Sequence, residues 1–68
     1  MTEARLTPRE AEVLQYAAHG KTLEEVAATL GISRETVKTH VFNVRLRLDA
    51  LNLGHAIAIS VARGLISV

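Results

Sequence analysis

Arg34, Lys38, Arg45 and Arg47 stand within residues 34–47 against one acid, Glu35, so this stretch carries 4 − 1 = +3. The whole chain of 68 residues carries only +1. Residues 1–33 hold Arg5, Arg9 and Lys21 against Glu3, Glu10, Glu12, Glu24 and Glu25, or 3 − 5 = −2; residues 48–68 hold Arg63 against Asp49, or zero. A basic island in a mildly acidic chain is an electrostatic footprint for phosphate, although a solvated helix face can have the same composition. Hydroxyls at Thr36 and Thr39 and the phenyl ring of Phe42 lie in the same stretch. A threonine can donate to a phosphate, touch a thymine methyl or bond a base edge. Lys38 and Arg45 lie on one side of the stretch, within reach of a phosphate or a base. Arg34 opposes the helix dipole if it sits in a first turn, a local cost that a phosphate partner would offset.

Other chemistries find no support. The chain has no cysteine, so thiolate metal sites and disulfides are excluded. His19, His40 and His55 fall in three separate segments without an i, i+4 pair, so neither a metal centre nor another cofactor is expected. His40 reads as a half-buried histidine bonded to a neighbouring carbonyl. No Ser–His–Asp set, carboxylate dyad or phosphate-cradling glycine loop can be assembled, and a chain of 7.4 kDa has little room for a substrate cleft. The expectation is a non-enzymatic domain with no small-molecule ligand. No apolar run reaches the roughly 18 residues of a membrane span, and Met1 to Arg5 do not open a signal peptide. A cytoplasmic location follows as an expectation.

Helices must position these residues. Thr7-Pro8-Arg9-Glu10 is a start signal, with Thr7 as cap, Pro8 at the first helical position and Glu10 closing a capping box. Val13, Leu14, Ala17 and Ala18 follow as one apolar stripe, and Gly20 stops a helix over 8–19. Thr22 and Glu25 form a second box, and Leu23, Val26, Ala27 and Leu30 stripe a short helix over 23–30 that ends at Gly31. Ser33 caps a third helix over 34–48. In it Val37, Val41, Val44 and Leu48 fall within about 60° of one another, a narrow core seam. Glu35, Thr39, Phe42 and Leu46 lie opposite, flanked by Lys38 and Asn43. Phe42 is about 130° from the seam, leaving contact with DNA, the core or a protein open. A fourth helix over 53–63 is apolar over a wide arc that includes Ile57, Ala58, Ile59, Val61 and Ala62; only His55, Ser60 and Arg63 are polar. Either it is the most buried helix or it carries a self-association face. The fold class is therefore all-α, one four-helix domain over 1–68, with Leu65 and Ile66 able to fold back.

The short helix, the Gly31-Ile32-Ser33 turn and the long basic helix form a helix-turn-helix pattern, although the turn alone also fits an αα-corner in another bundle. Ala27 is small enough for a close crossing, and Gly31 supplies a left-handed turn. The blocks Leu6-Thr-Pro-Arg-Glu10…Val13-Leu14, Glu25-Val-Ala27…Leu30-Gly-Ile-Ser33 and Thr36-Val-Lys-Thr-His-Val41-x-Asn43 resemble the DNA-binding domain of LuxR-type (GerE-like) bacterial transcriptional regulators. His55-Ala-Ile-Ala-Ile59…Gly64-Leu-Ile66 is similar to its quorum-sensing branch. The resemblance covers about residues 6–66.

It implies sequence-specific binding of double-stranded DNA, with helix 34–48 in the major groove and Ser33, Arg34, Glu35, Thr36, Lys38, Thr39, Phe42, Asn43 and Arg45 at the interface. Thr36 and Lys38 match backbone or groove positions; Thr39, Phe42 and sometimes Glu35 and Arg45 match base-facing ones. It also implies a homodimer through the last helix, at Ile57, Ala58, Val61 and Ala62, and contact with another regulator or RNA polymerase as a further partnership. Two departures carry expectations. Asp49 stands where the family often has glycine, so the turn after the third helix is expected to be rebuilt with extra helix. Leu53 replaces a frequent polar residue, removing a backbone contact. The apolar outer face at Phe42 and Leu46 supports a rival role, a protein-interaction module that pairs with another regulator's DNA-binding domain.

Overall fold

The computed structural model describes residues 5–67, so the signal-peptide reading of the first residues and the charge of Glu3 lie outside the described residues. Four helices follow in order: α1 Pro8–Ala18, α2 Leu23–Leu30, α3 Arg34–Leu48 and α4 Leu53–Ala62. Each begins where a side chain satisfies an orphan amide. Thr7 Oγ1 accepts from Glu10 N–H at 3.1 Å while Thr7 N–H donates to Glu10 Oε1 at 3.0 Å. The Thr22–Glu25 box repeats this at 3.1 and 2.8 Å. Ser33 Oγ accepts from Thr36 N–H at 3.0 Å, and Asn52 Oδ1 accepts from His55 N–H at 2.8 Å. Three of these four caps are the ones expected from the local sequence; the fourth, Asn52, stands immediately before the helix expected over 53–63. The first and last helices each end one residue earlier than the apolar pattern suggests, at Ala18 and Ala62, with His19 and Arg63 as caps.

Gly31 takes φ 69°, the left-handed turn required between α2 and α3. Asp49 takes the same kind of conformation, φ 56° and ψ 43°. The turn after α3 is therefore not rebuilt and α3 gains no extra residues. Aspartate tolerates the left-handed region better than most residues with a Cβ, so the geometry survives the loss of glycine.

The core has two parts. Val13, Val26, Ala27 and Val37 pack together where α1, α2 and α3 meet. Leu14, Val44, Leu48, Ala56 and Ile66 form the second part, with Ile66 returned by the chain after α4. The adjacent Val13 and Leu14 serve one part each. Val41 departs from the expected seam: it is half-buried where Val37, Val44 and Leu48 are buried. At about 100° per residue it sits about 40° off Val37, enough to bring it to the edge.

α4 is not the most buried helix. Only Ala56 and Ser60 are buried, one turn apart. Both are small, and the Ser60 Oγ is buried with no hydrogen-bond partner among the described residues. Ala58, Val61 and Ala62 remain exposed and Ile57 is half-buried. Leu53 is half-buried against the second core part, which accounts for an apolar residue at that position.

Candidate nucleic-acid interface

α3 is locked on one side and open on the other. Val37, Val44 and Leu48 anchor it, while Ser33, Arg34, Glu35, Thr36, Lys38, Thr39, Phe42 and Asn43 are exposed. The local chemistry orders this open face. Thr36 Oγ1 lies 2.8 Å from the capping Ser33 Oγ, which fixes both hydroxyls at the helix start. The cap and the turn engage the amides of Thr36 and Val37. Those of Arg34 and Glu35 meet no acceptor among the described residues, so they face outward at the positive end of the helix. Thr39 Oγ1 donates to the Glu35 carbonyl at 3.1 Å, so its hydroxyl proton is used within the helix and its acceptor capacity and methyl remain. Lys38 Nζ lies 3.9 Å from Glu35 Oε1, an exposed pair of little energetic weight whose ammonium is free to exchange partners.

Phe42 is 55% exposed, which removes the core as its destination. It forms one wall of a shallow groove of about 410 Å³ lined by Leu23, Glu35, Lys38, Thr39, Val41 and Arg45 besides itself. Leu23 is the member that one-dimensional inspection misses. It reads as a core residue of α2, but α2 crosses α3 so that this side chain borders the groove as well. Leu46, at 65% exposed, extends the apolar ridge beyond Phe42.

The two arginines near the end of α3 have different roles. They project to opposite flanks, each about 80° from Val37. Arg45 is half-buried on the groove side, and its Nη2 donates to the Leu51 carbonyl at 2.8 Å. Arg47 turns to α1 and grips Glu10: Nη1 donates to Oε1, and Nη2 donates to Oε2 at 3.1 Å. Nη1 also donates to the Arg5 carbonyl at 3.0 Å. Glu10 is 3% exposed, and the Arg47 guanidinium holds its carboxyl below the ordinary value of 4.5. The Thr7 amide and the nearby His40 act in the same direction, and burial acts against them. His40 is half-buried as expected, but its ring forms no hydrogen bond to a carbonyl among the described residues. With Arg47 committed internally, the outward face retains Arg34, Lys38 and Arg45 against Glu35, or 3 − 1 = +2.

No group of His, Asp or Glu side chains among the described residues is arranged to hold a metal ion, and no helix there is long and apolar enough to cross a membrane.

The family model GerE, described as bacterial regulatory proteins of the luxR family, matches residues 4–60. The chain is 48% identical over 62 residues to the HTH-type quorum sensing-dependent transcriptional regulator RpaR of Rhodopseudomonas palustris, covering 91% of this chain and 26% of that protein. It is 48% identical over 58 residues to the transcriptional activator protein ExpR of Dickeya dadantii, covering 85% of this chain and 23% of that one. The chain thus spans about a quarter of the length of these curated relatives. Among solved structures, the transcription factor GerE matches with a TM-score of 0.89 and 29% identity, covering 91% of this chain and 92% of that one. The Vibrio cholerae protein VqmA, a LuxR-type receptor solved as a dimer without its target DNA, matches at 0.86 and 31% over 96% of this chain and 30% of that one. The four helices, the capped helix-turn-helix and a family match over nearly the whole length agree: the chain belongs to the luxR family of bacterial regulatory proteins and is a GerE-like helix-turn-helix domain.

Proposed function

We propose that this domain binds double-stranded DNA sequence-specifically in a cytoplasmic transcriptional regulator, with α3 in the major groove and α2 braced across the backbone. The observation that carries it is the division of α3: one side is anchored in the core, and the other holds eight expected interface residues in solvent. Arg34, Thr36, Lys38 and the outward amides at the helix start suit phosphates. Thr39 and Phe42 suit thymine methyls, and Glu35 suits a cytosine amino group. Asn43 and Arg45 flank the contact. A single copy has few cations, so its affinity before specific contacts is roughly 10⁻⁴–10⁻⁶ M. Pairing through Ile57, Ala58, Val61 and Ala62 raises it, with half-sites about one helical turn apart. The names of the relatives support a quorum-sensing regulator as the protein to which such a domain belongs.

Selection from random duplexes, followed by titration across a salt series, tests this. A recovered palindrome and salt-sensitive binding are the expected results. Lys38→Ala should flatten the log–log salt slope by about one unit, as loss of one phosphate contact requires. An unchanged slope and affinity would remove Lys38 from the interface.

The exposed apolar ridge of Phe42 and Leu46 favours one second role, a module that pairs with another regulator's DNA-binding domain. Retained protein binding without salt-sensitive DNA binding would select it.

A further inference from the structure

Arg45 stands between two parts of the molecule. Its side chain borders the groove lined by Lys38, Thr39 and Phe42, while its Nη2 donates to the Leu51 carbonyl in the turn between α3 and α4. Its Nε is buried and meets no acceptor among the described residues. Leu51 is held at its other polar group as well. Its N–H donates to His55 Nδ1 at 3.0 Å, and the His55 N–H donates to the capping Asn52 Oδ1 at 2.8 Å. The Ala50 N–H returns to the Arg45 carbonyl at 2.9 Å. The turn and the first residues of α4 are therefore tied by a chain of hydrogen bonds to a side chain that also lines the groove.

A guanidinium offers five N–H donors in one rigid plane, and a buried donor without an acceptor is disfavoured. Here the fork makes one neutral bond and leaves Nε unsatisfied. A phosphate oxygen brought into the groove offers a charge-assisted bond, roughly twice as strong as a neutral one. We propose that Arg45 is a two-position side chain coupling the groove to α4. In the free domain it clasps the Leu51 carbonyl; with a duplex in the groove it turns Nε and its fork to a phosphate oxygen and releases the turn. This rests on the DNA-binding function proposed above and adds a route from the groove to the pairing face of α4. Linkage makes the route reciprocal: whatever factor the duplex applies to pairing, pairing applies to duplex affinity.

Nuclear magnetic resonance of the isotopically labelled chain, titrated with a short duplex at low salt, tests the coupling. The amides of Lys38 and Thr39, those of Leu51, Asn52 and His55, and the Arg45 Nε–H should all shift over the same duplex concentrations. In Arg45→Met, Lys38 and Thr39 should still respond and the turn amides should not, and the salt slope should fall by about one unit. Shifts at Lys38 and Thr39 with still turn amides in the unaltered chain would overturn the coupling and leave DNA binding standing. No shift anywhere on α3 would remove DNA binding, and the coupling with it.

Discussion

Glu10 uses one carboxylate for two tasks. It closes the cap of α1 through the Thr7 amide and receives both terminal nitrogens of Arg47 from α3. Its lowered folded pKa fixes the sign of a pH effect. A carboxyl held below its unfolded value contributes stability that is complete above that value and lost as pH falls through the folded one. Unfolding free energy should therefore decline once pH drops below about 4.5, the ordinary value for this group. Glu10→Gln should flatten the decline and reduce stability near neutral pH by roughly 1–3 kcal/mol, because Arg47 loses its anionic partner. Urea unfolding from about pH 7 to 3 on both proteins measures this; parallel curves would clear Glu10 of the role. Glu25, whose carboxyl is lowered by the Thr22 amide, supplies part of the slope that remains. The Thr7–Glu10 half of the arrangement is legible in four consecutive residues. The Arg47 half is not, because Arg47 lies 37 positions away and helical periodicity does not say which flank of α3 docks on α1.

At the scale of elements, the caps show how far local chemistry reaches. Thr7, Thr22 and Ser33 each announce a helix start, since the bonds they make span three residues. The turn after α3 was harder to anticipate. The absence of glycine at Asp49 suggests a changed path, whereas the chain keeps the left-handed conformation and bears the strain. Asp49→Gly should relieve it and stabilise the domain by about 1 kcal/mol, visible as a raised thermal midpoint with α3 and α4 unmoved. A lower midpoint would mean that the Asp49 side chain has a supporting role that outweighs the strain. α4 also resisted one-dimensional inspection. Hydropathy spreads over a wide arc that includes Ile57, Ile59 and Val61, yet the two fully buried residues are the small pair Ala56 and Ser60; Ile57 and Ile59 pack half-buried at the edge of the second core part, and Val61 stays exposed.

Across the whole molecule, the open side of α3 and the apolar side of α4 are two separate surfaces, one mildly cationic and one uncharged. The first was legible from charge and periodicity together with the family resemblance, which supplied the full set of residues: all its expected members are exposed except Arg45, which is half-buried. The second was legible only as an excess of apolar residues, since composition does not distinguish burial from an unpartnered face. Val61, at 41% exposure, lies outside both core parts, so Val61→Glu should leave the fold intact. On a duplex with two half-sites the variant should bind roughly 10²-fold more weakly, and on a single half-site as well as the parent chain. Sedimentation equilibrium beside the titrations would show whether pairing is what was lost. Equal affinity on both duplexes for the parent chain would count against α4 as the pairing face.

The bond from Arg47 to the Arg5 carbonyl bears on mechanics. The backbone just before α1 is tied by it to the far end of α3. A pull or twist applied at Arg5 would reach the end of α3 through this bond as well as the start of α1 along the backbone.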